Sequence, residues 1–99
     1  ALEVATRDRS AEVRRMAAMQ LGRLAQPESL DALARLIDDD DEDVRWAAVQ
    51  AIGELRNPDA APVLVSVLRD PNPMVANAAE RALQKMGIAQ RRFGTRDEG

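Results

Sequence analysis

The chain has 99 residues, 14 basic and 17 acidic side chains for a net charge of −3, and neither cysteine nor histidine. That length makes one domain at most, and the missing cysteine and histidine remove disulfides, reactive thiols, the commonest general base and the commonest metal ligand, which counts against an enzyme. No apolar run is long enough to cross a bilayer and the first residues lack the pattern of a secretion signal, so a cytoplasmic protein with no membrane partner is expected.

In chain order, residues 1–9 hold Leu2, Ala5, Thr6 and Asp8, a short stripe that returns 31 residues later as Leu33, Leu36, Ile37 and Asp39. The chain is therefore expected to open inside a short helix, a partial unit. Residues 10–24, SAEVRRMAAMQLGRL, return as DEDVRWAAVQAIGEL at 41–55 and again as NPMVANAAERALQKM at 72–86. Val13/Val44/Val75, Ala17/Ala48/Ala79, Leu21/Ile52/Leu83 and Leu24/Leu55/Met86 keep register at a spacing of 31, and within each copy the apolar residues fall at helical spacing. Ser10, Asp41 and Asn72 are N-cap residues, and Pro73 suits a first turn, so long helices (A helices) are expected over 10–24, 41–55 and 72–86.

The first two A helices are followed by proline-containing turns at Pro27 and Pro58 and then by shorter stripes, Leu33, Leu36 and Ile37 matching Leu64, Val67 and Leu68. These predict B helices over about 29–38 and 60–69. Pro62 fits only in a first helical turn, where its missing N–H has no intrahelical partner, which places that start near Asp59 or Ala60. After Gly87, a helix stop, residues 88–99 offer only Ile88 and Phe93 as apolar anchors and read as a tail. The organisation expected is an array over 1–87, with a partial unit 1–9, full units 10–40 and 41–71 and a half unit 72–87. A period of this size means stacked supersecondary units, none able to bury its apolar face alone, and open ends of such a stack invite self-association.

Asp41, Val44, Arg45, Ala47, Ala48, Ile52, Gly53, Leu55, Leu64, Leu68 and Asp70, with Val13, Arg14, Ala17, Leu21, Gly22, Leu24 and Asp39 one unit earlier, resemble the HEAT-like repeats of the short phycobilisome-lyase type. The resemblance covers roughly residues 2 to 87. It implies an all-α fold, a right-handed α-solenoid of short antiparallel helix pairs whose B helices line a concave binding face. The third unit departs from the pattern, with Ala76 for the arginine and Gln84 for the glycine. The resemblance spans scaffolds, chromophore-attachment enzymes and nucleic-acid binders, and extends to deoxyhypusine hydroxylases, which bind iron through His-Glu pairs; a chain without histidine lacks those ligands.

Several side chains are candidates for function. The acids at 38–43 suit either a divalent cation or, with Asp41 as cap and Glu42 and Asp43 on the positive end of a helix dipole, a solvated turn. Asp39 and Asp70 are expected to pair with Arg14 and Arg45 between stacked turns. Trp46 stands where the other units have Arg15 and Asn77, Met19 where they have Gln50 and Arg81, and Val49 where they have Ala18 and Glu80. Each is apolar where another unit is polar, so Trp46, Met19 and Val49 are expected to form an outward apolar patch of the kind that marks protein contacts. The alternative is a Trp46 laid flat over alkyl stems, or covered by Phe93 and the tail.

On the concave face, Asp31, Arg35 and Asp38 from one B helix and Pro62, Val63, Ser66 and Arg69 from the next make a polar, weakly charged surface suited to an extended peptide or another protein, or a plain solvated face. Arg91, Arg92 and Arg96 beside Asp97 and Glu98 are a thin basis for phosphate or lipid binding, and nucleic acid is not the expected partner because only Arg35 and Arg69 are basic on the concave face. Gly22 and Gly53 read as close helix packing, since no phosphate-loop spacing surrounds them. The expectation is a non-catalytic interaction scaffold with no catalytic, metal or cofactor residue. The alternatives are an accessory subunit of a chromophore-lyase-like enzyme and a nucleic-acid-binding repeat.

Overall fold

The computed structural model describes residues 2–87, which form helices and turns; the expectations for Ile88, Arg91, Arg92, Phe93 and Arg96 lie outside the described residues. The helices are α1 (Leu2–Ala5), α2 (Ala11–Leu24), α3 (Leu30–Leu36), α4 (Glu42–Leu55), α5 (Ala61–Val67) and α6 (Pro73–Lys85). No helix among the described residues is long and apolar enough to cross a membrane.

The long helices start at the expected caps. Ser10 Oγ accepts from the Val13 N–H, Asp41 from those of Asp43 and Val44, and Asn72 from that of Met74, each satisfying an amide that has no intrahelical acceptor. Each of the first two long helices ends on a left-handed residue, Ala25 at φ 51° and Arg56 at φ 49°, and Gly87, one period later, has φ 74°. A glycine adopts that conformation without the Cβ clash that Ala25 and Arg56 accept.

The short helices differ from expectation at both ends. Each opens with a 3₁₀ turn, Pro27–Ser29 and Pro58–Ala60, and only then becomes α-helical. Each also closes early, because its last amides bond three residues back: Asp38 to Arg35, Asp39 to Leu36 and Asp70 to Val67. Such tightening is how a helix end without a cap satisfies its carbonyls. Pro62 falls in the first turn of α5, as its missing N–H requires.

Packing forms two layers. The long helices α2, α4 and α6 lie side by side, and each short helix packs mainly on the long helix that follows it, α1 on α2, α3 on α4 and α5 on α6. The described array is thus three helix pairs of the short-then-long kind. Leu21, Leu33, Val44, Ala48, Ile52, Leu64, Val75 and Leu83 are buried between the layers. Thr6, at the place of Ile37 and Leu68, is buried as well.

Neighbouring long helices close up through small residues. A Cβ on Gly22 would stand 2.7 Å from the Ala51 Cα and 2.8 Å from its Cβ, while one on Gly53 would stand 3.2 Å from the Ala82 Cβ. These contacts recur at the period of the sequence, and Gln84, which succeeds Gly22 and Gly53, is exposed.

Three stability outcomes follow, each read from urea unfolding midpoints. Gly22→Ala pushes helix backbone apart and is expected to lose about 1–3 kcal/mol, whereas Gly53→Ala needs a shift of a few tenths of an ångström, offset by the better helix propensity of alanine, and stays near neutral. Among the described residues the hydroxyl of the fully buried Ser29 has no hydrogen-bond partner, and its counterpart one period on is the buried Ala60. Ser29→Ala is expected to raise stability by about 1 kcal/mol.

Candidate functional site

Along one edge of the array, the turns before the long helices are tied by arginine–aspartate rungs. Arg14 on α2 donates from Nε and Nη2 to Asp39, at 2.7 and 3.0 Å, and from Nη1 to the carbonyls of Asp8 and Arg9, at 2.8 and 3.0 Å. One period later Arg45 does the same, to Asp70 at 2.9 and 3.3 Å and to the carbonyls of Asp39 and Asp40 at 2.9 and 3.3 Å. Asp39 and Asp70 also accept from the N–H of Asp41 and Asn72, and the Asn72 amide donates to Glu42. The ion pairs expected from the sequence are present, and the series stops at Ala76, which has no guanidinium to offer.

These contacts set the local protonation. Burial pushes the Asp39 carboxyl up, but the Arg14 hydrogen bonds, the Asp41 N–H and the charges of Arg14 and Arg45 outweigh it and hold the group below its usual range. The hydrogen bond to Asp39 raises Arg14, and that to Asp70 raises Arg45. The acid run is therefore divided: Asp39 is held in a rung and Asp41 caps α4, and among the described residues no three acidic groups converge as a metal site.

A cleft of about 450 Å³ opens beside the second rung, between the turn after α3 and the end of α5. It gathers Asp38, Ser66 and Arg69 of the short-helix candidates around Arg45 and Asp70. Asp31, Arg35 and Pro62 are exposed on the same side of the molecule's short helices, outside that cleft. Val63 departs from its expected surface position: it is half-buried, packed against the core. The Ser66 hydroxyl donates to the Val63 carbonyl at 2.6 Å, a local bond within the helix.

The long-helix face corrects the expected patch. Val49 is fully buried, so it belongs to the core and not to an outward surface. Its position, shared with buried Ala18, faces the next long helix; Glu80 is tolerated there on α6 because no described helix packs against it. Met19 and Trp46 are exposed but line separate grooves. Met19 borders a groove between α2 and α4 with Arg23, Gln50 and Glu54, and accepts a weak hydrogen bond from Arg15. Trp46, 36% exposed, borders a groove of about 220 Å³ between α4 and α6 with Met74, Asn77 and Arg81.

Met74 is the residue that sequence reasoning missed. It is 66% exposed beside Trp46 and stands where the other units carry Glu12 and Asp43. The test that singled out Trp46, an apolar side chain where sister units are polar, identifies it too.

The rung makes stability depend on pH. Because the folded-state pKa of Asp39 is depressed, its contribution is fully present above the ordinary carboxylate value near 3.8 and is lost as pH falls through the lower folded value. Asp39→Asn is expected to be less stable than the parent at neutral pH, with the difference between their unfolding midpoints narrowing below about pH 4. A pH-independent difference would contradict the assignment.

A family model for HEAT repeats matches residues 1–84. Among solved structures, the chain is similar to human deoxyhypusine hydroxylase in complex with glycerol, with a TM-score of 0.81 at 23% identity over 93% of this chain and 33% of that one. It spans about a third of that protein's length, and at this identity the likeness is one of fold. No curated protein sequence matches the chain. With its helix pairs stacked at a period of 31 residues and its family match spanning the array, the chain belongs to the HEAT repeat family.

Proposed function

We propose that this chain is a non-catalytic protein-interaction module that binds another protein or peptide on its long-helix face. The observation that carries the reading is the exposed pair Trp46 and Met74 at the groove between α4 and α6. Neither side chain is needed to stack the helices, since the sister units place Arg15 and Asn77, or Glu12 and Asp43, at the same positions. An aromatic ring beside a flexible thioether, with Arg81 at the rim, suits an apolar side chain of a partner flanked by a carboxylate. The period of 31 and the motif residues support the short phycobilisome-lyase type within the family. The absence of histidine and cysteine from this chain supports a non-catalytic role, because it supplies neither His-Glu iron ligands nor a thiol nucleophile.

Capture from an extract of the source cells, with the parent, Trp46→Ser, Met74→Ser and Arg35→Glu side by side, tests the reading. The same protein is expected on the parent and on Arg35→Glu and lost from both groove variants. Trp46 is the single tryptophan, so titration with that protein is expected to shift its emission to shorter wavelength as the ring leaves water. Groove variants that retain the protein as the parent does would contradict the proposal, and selective loss on Arg35→Glu would move the site to the short-helix face.

A further inference from the structure

The turn before α6 repeats the turns before α2 and α4 in its hydrogen bonds and its cap. The Asp70 N–H donates to the Val67 carbonyl, as that of Asp8 does to Ala5 and that of Asp39 to Leu36. The Asp70 carboxylate accepts from the Asn72 N–H, as Asp8 accepts from Ser10 and Asp39 from Asp41. The caps share one backbone conformation, Ser10 at φ −80° and ψ 122°, Asp41 at −89° and 123°, Asn72 at −90° and 116°.

The third turn lacks the arginine. In the first two, a single nitrogen, Nη1 of Arg14 or Arg45, donates to two successive carbonyls, those of Asp8 and Arg9 or of Asp39 and Asp40. These bonds are made inside the unit, by the helix that the turn starts, so Ala76 removes them from the third turn independently of any neighbouring unit. Among the described residues no donor reaches the carbonyls of Asp70 and Pro71.

That turn keeps its shape without a guanidinium. Pro71 stands where the other turns have Arg9 and Asp40, and Pro73 where they have Ala11 and Glu42; each proline fixes its φ at about −65°. The two carbonyls are thus pre-arranged, and a ligand does not have to order them. Ala76 ends at Cβ, so the volume that the stems of Arg14 and Arg45 fill beside α2 and α4 is left to another group beside α6.

The sister turns indicate which group that is. Two adjacent carbonyl oxygens suit a charged donor with several N–H groups on one planar fork. Arg45, besides its hydrogen bond to Asp70, feels the charge of Asp39, the carboxylate of the turn whose carbonyls it holds. Asp70 stands in the same relation to the third turn, which favours a cation there.

We infer that the turn before α6 is a guanidinium site, in which the carbonyls of Asp70 and Pro71 take an arginine side chain supplied from outside α6. The source is either the tail, which carries Arg91, Arg92 and Arg96, or another polypeptide, and the recognition chemistry is the same. The site does not depend on the reading of the Trp46 groove.

Titration of the isotope-labelled 99-residue chain with N-acetylarginine amide at constant ionic strength tests it by nuclear magnetic resonance. The expected result is a saturable displacement of the Pro71 carbonyl carbon and the Asn72 amide, with a midpoint on the order of millimolar. The Asp40 carbonyl carbon, whose oxygen Arg45 already engages, is expected to stay in place. N-acetylcitrulline amide, the uncharged counterpart, is expected to displace neither signal. Ala76→Arg, which restores the residue of the sister units, is expected to keep the parent's helical circular dichroism and lose the response. A silent parent with a responsive Arg91→Gln, Arg92→Gln, Arg96→Gln chain supports the site and assigns its source to the tail. Silence in both chains, an equal response to the citrulline probe, or an unchanged response in Ala76→Arg overturns the inference.

Discussion

No helix pair of this chain buries its own apolar side, and the rest of the structure depends on that constraint. α4, flanked by α2 and α6, buries Val44, Ala47, Ala48, Val49, Ala51, Ile52 and Gly53, whereas α2, built on the same pattern, buries only Ala17, Ala18, Leu21 and Gly22. The difference comes from neighbours. Stability in such a stack is a sum of weak units and the contacts between them, so the middle of the array holds the ends.

The arginine–aspartate rungs act on a different link. The core fixes the distance between long helices through Gly22–Ala51 and Gly53–Ala82, while the rungs fix the turns. Arg14 and Arg45 each bond two carbonyls of the turn before their own helix and the carboxylate of the turn after the next short helix. Four donors per guanidinium would be dispersed in water by a loose loop; here the turn at Asp39 and Asp40 is held from both sides, its carboxylate by Arg14 and its carbonyls by Arg45. The long-helix grooves, including the one at Trp46, are thereby formed on a scaffold whose spacing and turns are both set.

Much of this was legible because the sequence carries its own comparison. Ser10, Asp41 and Asn72 announce the caps, Asp39 and Asp70 announce partners for Arg14 and Arg45, and the two glycines mark the close contacts, each confirmed by recurrence at 31 residues. Val49 was misread because its sister residue Glu80 is exposed on a side of α6 against which no described helix packs, whereas Val49 is covered by a neighbouring long helix. The left-handed residues Ala25 and Arg56 carry no local signal; only their alignment with Gly87 reveals them. The 3₁₀ starts of the short helices escaped notice because a proline marks a turn and a helix start equally well.

The candidate surfaces were legible in part. Trp46 and Met19 stand outside, but their placement in two separate grooves depends on how far apart α2, α4 and α6 lie, which no stripe of residues states. Native-state hydrogen exchange tests the dependence of each pair on its neighbours most directly. The account predicts that the amides of α4 exchange slowest and together, with those of α2 and α6 faster. Equal protection of the three long helices, or slowest exchange in α2 or α6, would contradict it.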